Sequence, residues 1–140
     1  MAYPVQKTDA EWNEQLGSQR YNVLREAGTE RPFTNEYWQH TDQGTYKCGA
    51  CGIPLFTDVE KFHSSCGWPA FYQAVEGNRV EERVDSSFGM RRVEVVCSNC
   101  GSHLGHVFED APQTPTGLRY CINSASLIFE PGSVEAKPSV

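Results

Sequence analysis

The segment Gly117-Leu118-Arg119-Tyr120-Cys121-Ile122-Asn123-Ser124 sets three chemically capable side chains at alternate positions. In an extended strand successive side chains point to opposite faces. Arg119, Cys121 and Asn123 then share one face, and Leu118, Tyr120 and Ile122 the other. A guanidinium two residues before a thiol on the same face favours the thiolate, its nucleophilic form. The amide two residues beyond can donate to an anion or to a sulfoxide-type oxygen. The competing reading is that an unpaired cysteine is a small buried hydrophobe, as such residues usually are.

A second lone thiol, Cys66, stands in Lys61-Phe62-His63-Ser64-Ser65-Cys66-Gly67-Trp68-Pro69-Ala70-Phe71. Its Ser, Gly and Pro neighbours predict a loop that can move, which suits a thiol that must reach an oxidised partner. Trp68 offers a large apolar face to a methyl or thioether group. Alternatively Trp68 and Phe71 are core and Cys66 is incidental. In Ser102-His103-Leu104-Gly105-His106-Val107-Phe108, His103 and His106 flank a glycine. Imidazole can donate a proton near neutral pH, as reaction at an S=O bond requires.

The other four cysteines form two Cys-x-x-Cys-Gly knuckles, Cys48/Cys51 and Cys97/Cys100. Together they supply the four thiolates of a closed tetrahedral site, with Gly52 and Gly101 suited to the positive φ of the turn. Such a site has no open position for substrate, so one structural zinc ion is expected. Iron in the same thiolates, or a pair of redox disulfides, are the alternatives. His103 could replace a cysteine as ligand, but four thiolates suffice. Paired motifs of this kind read as metal ligands in a reducing compartment rather than as a disulfide framework.

With 140 residues, the chain has the size of one domain, 1–140, with about 1–8 and 131–140 as flexible termini. Its 18 acidic against 12 basic residues, net charge −6, argue against nucleic acid or an anionic membrane as partner. Met1 to Asp9 lacks an apolar run of signal-peptide length, and no stretch approaches the roughly 20 apolar residues that span a bilayer. A soluble cytoplasmic protein is expected, and as a monomer, since no long exposed apolar stretch argues for a dimer.

The elements that must position these groups are mostly short strands. Thr8 to Glu11 forms a capping box that predicts a helix from about Asp9 to Leu16, ended by Gly17; a second is predicted from Ser18 to Gly28. Strands are predicted at 45–47, 54–56 and 91–96, with a short apolar piece at 106–108. The longest, 118–129, changes its polar face near Ser124, which predicts a bulge or burial on both faces there. Residues 110–117 read as an exposed loop. The fold class is mainly β with short helices at its front.

These pieces together resemble the B-type methionine sulfoxide reductases. The likeness rests on Arg25–Glu30, both knuckles, Cys66-Gly67-Trp68-Pro69, Gly89-Met90-Arg91, His103 to Phe108 and Arg119 to Ser124, in that order. It implies two antiparallel β-sheets with N-terminal helices, and reduction of the R epimer of methionine sulfoxide in oxidised proteins or peptides. It also implies Cys121 as nucleophile, Cys66 as resolving cysteine and Trp68 as the holder of the substrate methyl. His103, His106, Arg119 and Asn123 become the polar groups around the sulfoxide. Phe88 stands where the family often has histidine, which puts more of the proton transfer on His106, with His103 second. The implied cycle runs through a Cys121 sulfenic acid and a Cys66–Cys121 disulfide that thioredoxin reduces. Two other classes compete: a zinc-ribbon binding module, which leaves Cys66, Cys121 and the histidines without a task, and a general disulfide oxidoreductase.

Overall fold

Thr8 caps the first helix as a capping box: its side chain accepts from the Glu11 amide, and the Glu11 carboxylate accepts from the Thr8 amide at 2.9 Å. In the computed structural model, which describes residues 3–64, 66–77, 79–86, 89 and 91–132, this helix α1 spans Asp9–Arg25. Gly17, at φ 82° and ψ 163°, breaks it into the two helical pieces that the sequence predicts. The helix ends at Arg25, before Gly28. Phe88, Met90 and the terminal residues 1–2 and 133–140 lie outside the described residues.

Among the described residues nine strands follow: β1 Gly44–Cys48, β2 Pro54–Thr57, β3 Lys61–Phe62, β4 Ala70–Phe71, β5 Val80–Asp85, β6 Arg92–Cys97, β7 His103–Phe108, β8 Arg119–Ile122 and β9 Leu127–Pro131. They form two antiparallel sheets, one in the order β2-β1-β9 and one in the order β3-β4-β8-β7-β6-β5. The architecture is therefore mainly β. The two sheets meet through aromatic rings. Phe56 of the small sheet stacks on Phe71 of the large one at 4.4 Å between centroids, and Tyr46 and Tyr120 complete the cluster. Tyr46, Phe56 and Phe71 are wholly buried, so each contributes about 1.5–3 kcal/mol of burial free energy. The large sheet thus has one face in the core and the other free to carry chemistry.

The predicted strand 118–129 is two strands in different sheets. β8 ends at Ile122, a 3₁₀ turn covers Ser124–Ser126, and β9 then pairs with β1. The reason is polar. The Ser126 hydroxyl donates to the His103 carbonyl at 3.0 Å, and the Ser124 hydroxyl accepts from the Tyr37 amide at 2.9 Å. These buried bonds replace the ladder and turn the chain from one sheet into the other. β5, β3 and β4 are absent from the sequence-based assignment. β5, Val-Glu-Glu-Arg-Val-Asp, is an exposed edge strand whose charges obscure its period.

Helix α1 clamps both knuckles. The Gln15 amide donates to the Ala50 carbonyl in the first at 2.9 Å, and Arg25 donates to the Cys100 carbonyl in the second at 2.8 Å. The Arg25 guanidinium also lies 4.8 Å over the buried Trp12 ring. No helix among the described residues is long and apolar enough to cross a membrane.

Candidate active site

Along β8 the alternation holds: Tyr120 and Ile122 enter the core, and Arg119 and Cys121 point to the free face of the large sheet. Antiparallel pairing extends this into a row across the sheet. Arg83 lies opposite Glu94, Glu94 opposite His106, His106 opposite Cys121 and Cys121 opposite Ala70. Directly opposed residues share a face, so the register itself sets an imidazole beside the thiol.

His103 and His106 are three apart and would face opposite ways on a regular strand. A bulge corrects this. Between Val95 and Val96 the register slips by one, so that Val96 opposes His103 and Leu104 is the extra residue. Both imidazoles then line the same cleft, 5.6 Å apart between ring centroids. Gly105 between them is required by close approach, since a Cβ there would come within 2.0 Å of the Cys121 carbonyl oxygen.

Each imidazole holds a carboxylate. His106 Nε2 lies 2.9 Å from Asp85 on β5, and His103 Nδ1 lies 2.7 Å from Glu94 on β6. The hydrogen bond from His103 pulls the Glu94 carboxyl below its usual range, against partial burial.

Cys66 sits in the β3–β4 loop with its Sγ 3.1 Å from that of Cys121. Both are free thiols. The loop that brings it there is held by several bonds. The Gly67 carbonyl accepts from the Phe33 backbone amide at 2.7 Å and the Asn35 side-chain amide at 2.8 Å, and the Trp68 indole donates to the Glu30 carbonyl at 3.0 Å. Cys66 therefore needs no large excursion to reach Cys121. The two thiols titrate as a pair. The hydrogen bond from Cys121 draws Cys66 down to about 5, outweighing its burial. The same bond, then burial, pushes Cys121 up, while the Arg119 charge opposes this. Arg119 pulls Cys121 in the direction the sequence predicts, but the hydrogen bond between the sulfurs favours the charge on Cys66. The alternation along the strand does not carry this, although the resemblance implies that Cys66 comes within bonding reach of Cys121.

Arg119 is itself held by both oxygens of Asp110, at 2.9 and 2.8 Å, and lies 4.4 Å over the Phe108 ring. That bidentate bond raises Arg119 further above its ordinary range and lowers Asp110. Asn123 is largely committed to structure: its Nδ2 donates to the Leu104 carbonyl at 3.1 Å and its Oδ1 accepts from the Glu30 amide at 3.3 Å. The Glu30 carboxylate, raised by burial, accepts from the Ser124 amide and, at 3.1 Å, the Ala125 amide. The Arg25–Glu30 segment is thereby tied to the turn just after Cys121.

All seven of the sequence-predicted reactive and substrate-contacting residues, Cys66, Trp68, His103, His106, Arg119, Cys121 and Asn123, line one cleft of about 520 Å³. Asp85, Arg92, Glu94 and Phe108 line it too, and no sequence motif marks them as site residues. The alternation of Arg92 and Glu94 against Val93 and Val95 was the available signal.

The four knuckle cysteines gather where Gln15 and Arg25 of α1 hold the two knuckles. Their sulfurs all lie within 4.8 Å of one another, with Cys48–Cys100 at 3.7 Å and Cys51–Cys97 at 3.6 Å. Metal–sulfur bonds of 2.3 Å in a tetrahedron require sulfurs about 3.8 Å apart. The Ala50 and Asn99 amides donate to Cys48 and Cys97 Sγ at 3.4 Å, bonds that favour thiolate. The donor set fits a metal ion.

Residues 16–131 match the SelR domain. The chain is 58% identical over 125 residues to the peptide methionine sulfoxide reductase MsrB of Thiobacillus denitrificans, covering 89% of this chain and 94% of that one. Identity to the MsrB of Agrobacterium fabrum is 55%, covering 91% and 93%, and to that of Chromohalobacter salexigens 54%, covering 94% and 99%. The chain belongs to the MsrB family of peptide methionine sulfoxide reductases. Within the matched SelR region fall both knuckles and every residue of the cleft described above. A zinc-ribbon module without catalysis therefore no longer accounts for the chain.

Proposed function

We propose that this chain reduces the R epimer of methionine sulfoxide, in oxidised proteins or peptides, to methionine. Family membership supports the reaction, and the observation that carries the mechanism is the 3.1 Å separation of Cys121 and Cys66 inside a cleft with two imidazoles. Cys121 passes its proton to the Cys66 thiolate 3.1 Å away and its sulfur attacks the sulfoxide sulfur, while His106, steadied by Asp85, gives the oxygen a proton, with His103 second. Trp68 packs against the substrate methyl. The sulfoxide sulfur gains two electrons and leaves as methionine; Cys121 loses two and keeps the oxygen as sulfenic acid. Cys66 then displaces that oxygen as water, closing a Cys66–Cys121 disulfide. Thioredoxin reduces the disulfide by exchange. Arg119 steadies the negative charge on Cys121 at the moment of attack.

One zinc ion held by Cys48, Cys51, Cys97 and Cys100 would lock the knuckles together and stabilise the fold, without contact to substrate. We place the enzyme in the reducing cytoplasm as a monomer. Without added reductant, wild type should release about one methionine per chain and lose two free thiols, Cys66 and Cys121, by peptide mapping. Cys66→Ser should release the same single equivalent yet fail in thioredoxin-driven cycling. Sustained cycling by that variant would remove Cys66 from its role.

A further inference from the structure

Cys66 faces two openings. One is the cleft described above. The other is a groove of about 410 Å³ lined by Phe62, His63, Ser64, Cys66, Asp110, Gln113 and Arg119, with Ala111 at its base. Cys66 and Arg119 are the residues that line both; Cys121, Trp68 and the cleft histidines line only the first. We propose that this second groove receives the nucleophilic cysteine of a protein dithiol reductant, which attacks Cys66 Sγ there while the substrate cleft stays on the other side. The inference rests on the Cys66–Cys121 disulfide of the proposed cycle.

Thiol–disulfide exchange sets the choice of sulfur and of side. An attacking thiolate approaches along the S–S axis, opposite the sulfur that leaves, and access and leaving-group stability decide which sulfur is hit. An attacker in the groove meets Cys66 and not Cys121, so Cys121 is the leaving group. Access therefore selects Cys66, and Arg119, which the Asp110 fork holds in place, lines the cleft beside the departing Cys121. The step balances: the reductant's sulfur bonds to Cys66 Sγ, the S–S bond breaks, and Cys121 departs as a thiolate. The reductant's second thiolate then attacks the mixed disulfide and releases Cys66.

The surroundings suit a protein rather than a small thiol. His63, Asp110 and Gln113 are exposed at the rim. Phe62 and His63 also line an adjoining depression with Trp38, and the half-exposed Phe33 packs edge-on against Trp38 at 4.9 Å. This aromatic shelf gives a partner surface to rest on beside the reactive sulfur.

The test begins from protein oxidised with diamide to the Cys66–Cys121 disulfide, so that it does not depend on sulfoxide chemistry. A thioredoxin whose resolving cysteine is replaced by serine should trap a mixed disulfide that peptide mapping assigns to Cys66. Gln113→Trp, which fills the groove, should lower the rate of reduction by intact thioredoxin roughly tenfold relative to reduction by a small dithiol. A mixed disulfide on Cys121, no cross-link at all, or an unchanged ratio for Gln113→Trp would overturn the proposal. Failure of wild type to release methionine would instead sink the reductase reading.

Discussion

Six free cysteines occupy this chain, and their surroundings divide them. Around Cys48, Cys51, Cys97 and Cys100, four sulfurs crowd at tetrahedral spacing, the backbone donates into them, and α1 holds both knuckles by Gln15 and Arg25. Around Cys66 and Cys121, only two sulfurs meet, and the next neighbours are imidazoles, a guanidinium and an open cleft. In both places a neighbouring sulfur draws at least one thiol down toward thiolate. In the first it has nowhere to go but a metal ion; in the second it faces space for substrate. The difference lies in what completes the sulfur's surroundings, and not in the sulfur.

Breaking the first region should cost stability before chemistry. Cys97→Ser opens the tetrahedral set, so bound metal should be lost and stability should fall by several kcal/mol, a drop in melting temperature on the order of 10 °C or more. Metal analysis with calorimetry checks it. Unchanged metal content and melting would show that the cluster is not a structural site.

Changing the second region should move titration. Cys66 is drawn down to about 5 chiefly by the hydrogen bond from Cys121. Cys121→Ala removes that donor, so the thiolate loses stabilisation and Cys66 must rise toward roughly 8.5, the ordinary thiol value. Alkylation at Cys66, followed by peptide mapping, should titrate near 5 in wild type and more than two pH units higher in the variant. Because a more basic thiolate is also more nucleophilic, the rate at pH 6 should fall only roughly tenfold. An unmoved midpoint would mean that the two sulfurs do not share a proton.

The smallest effect should come one shell further out. Asp85→Asn keeps the size but weakens the hold on His106, so kcat should fall severalfold with little change in KM. An equal loss for the same change at an exposed carboxylate such as Glu82 would show that Asp85 has no special part.

Much of this division is legible in the sequence because its signals are local. Cys-x-x-Cys-Gly closes a knuckle within five residues, and the Arg119–Cys121–Asn123 alternation needs only a strand. What escapes is set by partners distant in the chain. His103 reaches the cleft only because a bulge against Val95 and Val96 shifts its side. Asp85 comes from an edge strand whose charges hide its period, and the path through Ser124 bends because buried hydroxyls find acceptors and donors in other elements. The shared proton between Cys66 and Cys121 depends on a distance across 55 residues of chain. The Phe33 and Asn35 bonds that pin the Cys66 loop likewise join segments that spacing cannot relate.

In the proposed cycle the open pair, with Cys121 as nucleophile, performs stereospecific sulfoxide reduction. The most direct measurement is turnover of the separated R and S epimers of a methionine sulfoxide peptide with a dithiol reductant, for wild type and Cys121→Ser. Reduction of the R epimer alone, lost by at least about a thousandfold in the variant, is the expected result. Reduction of both epimers alike, or retained activity in Cys121→Ser, would contradict it.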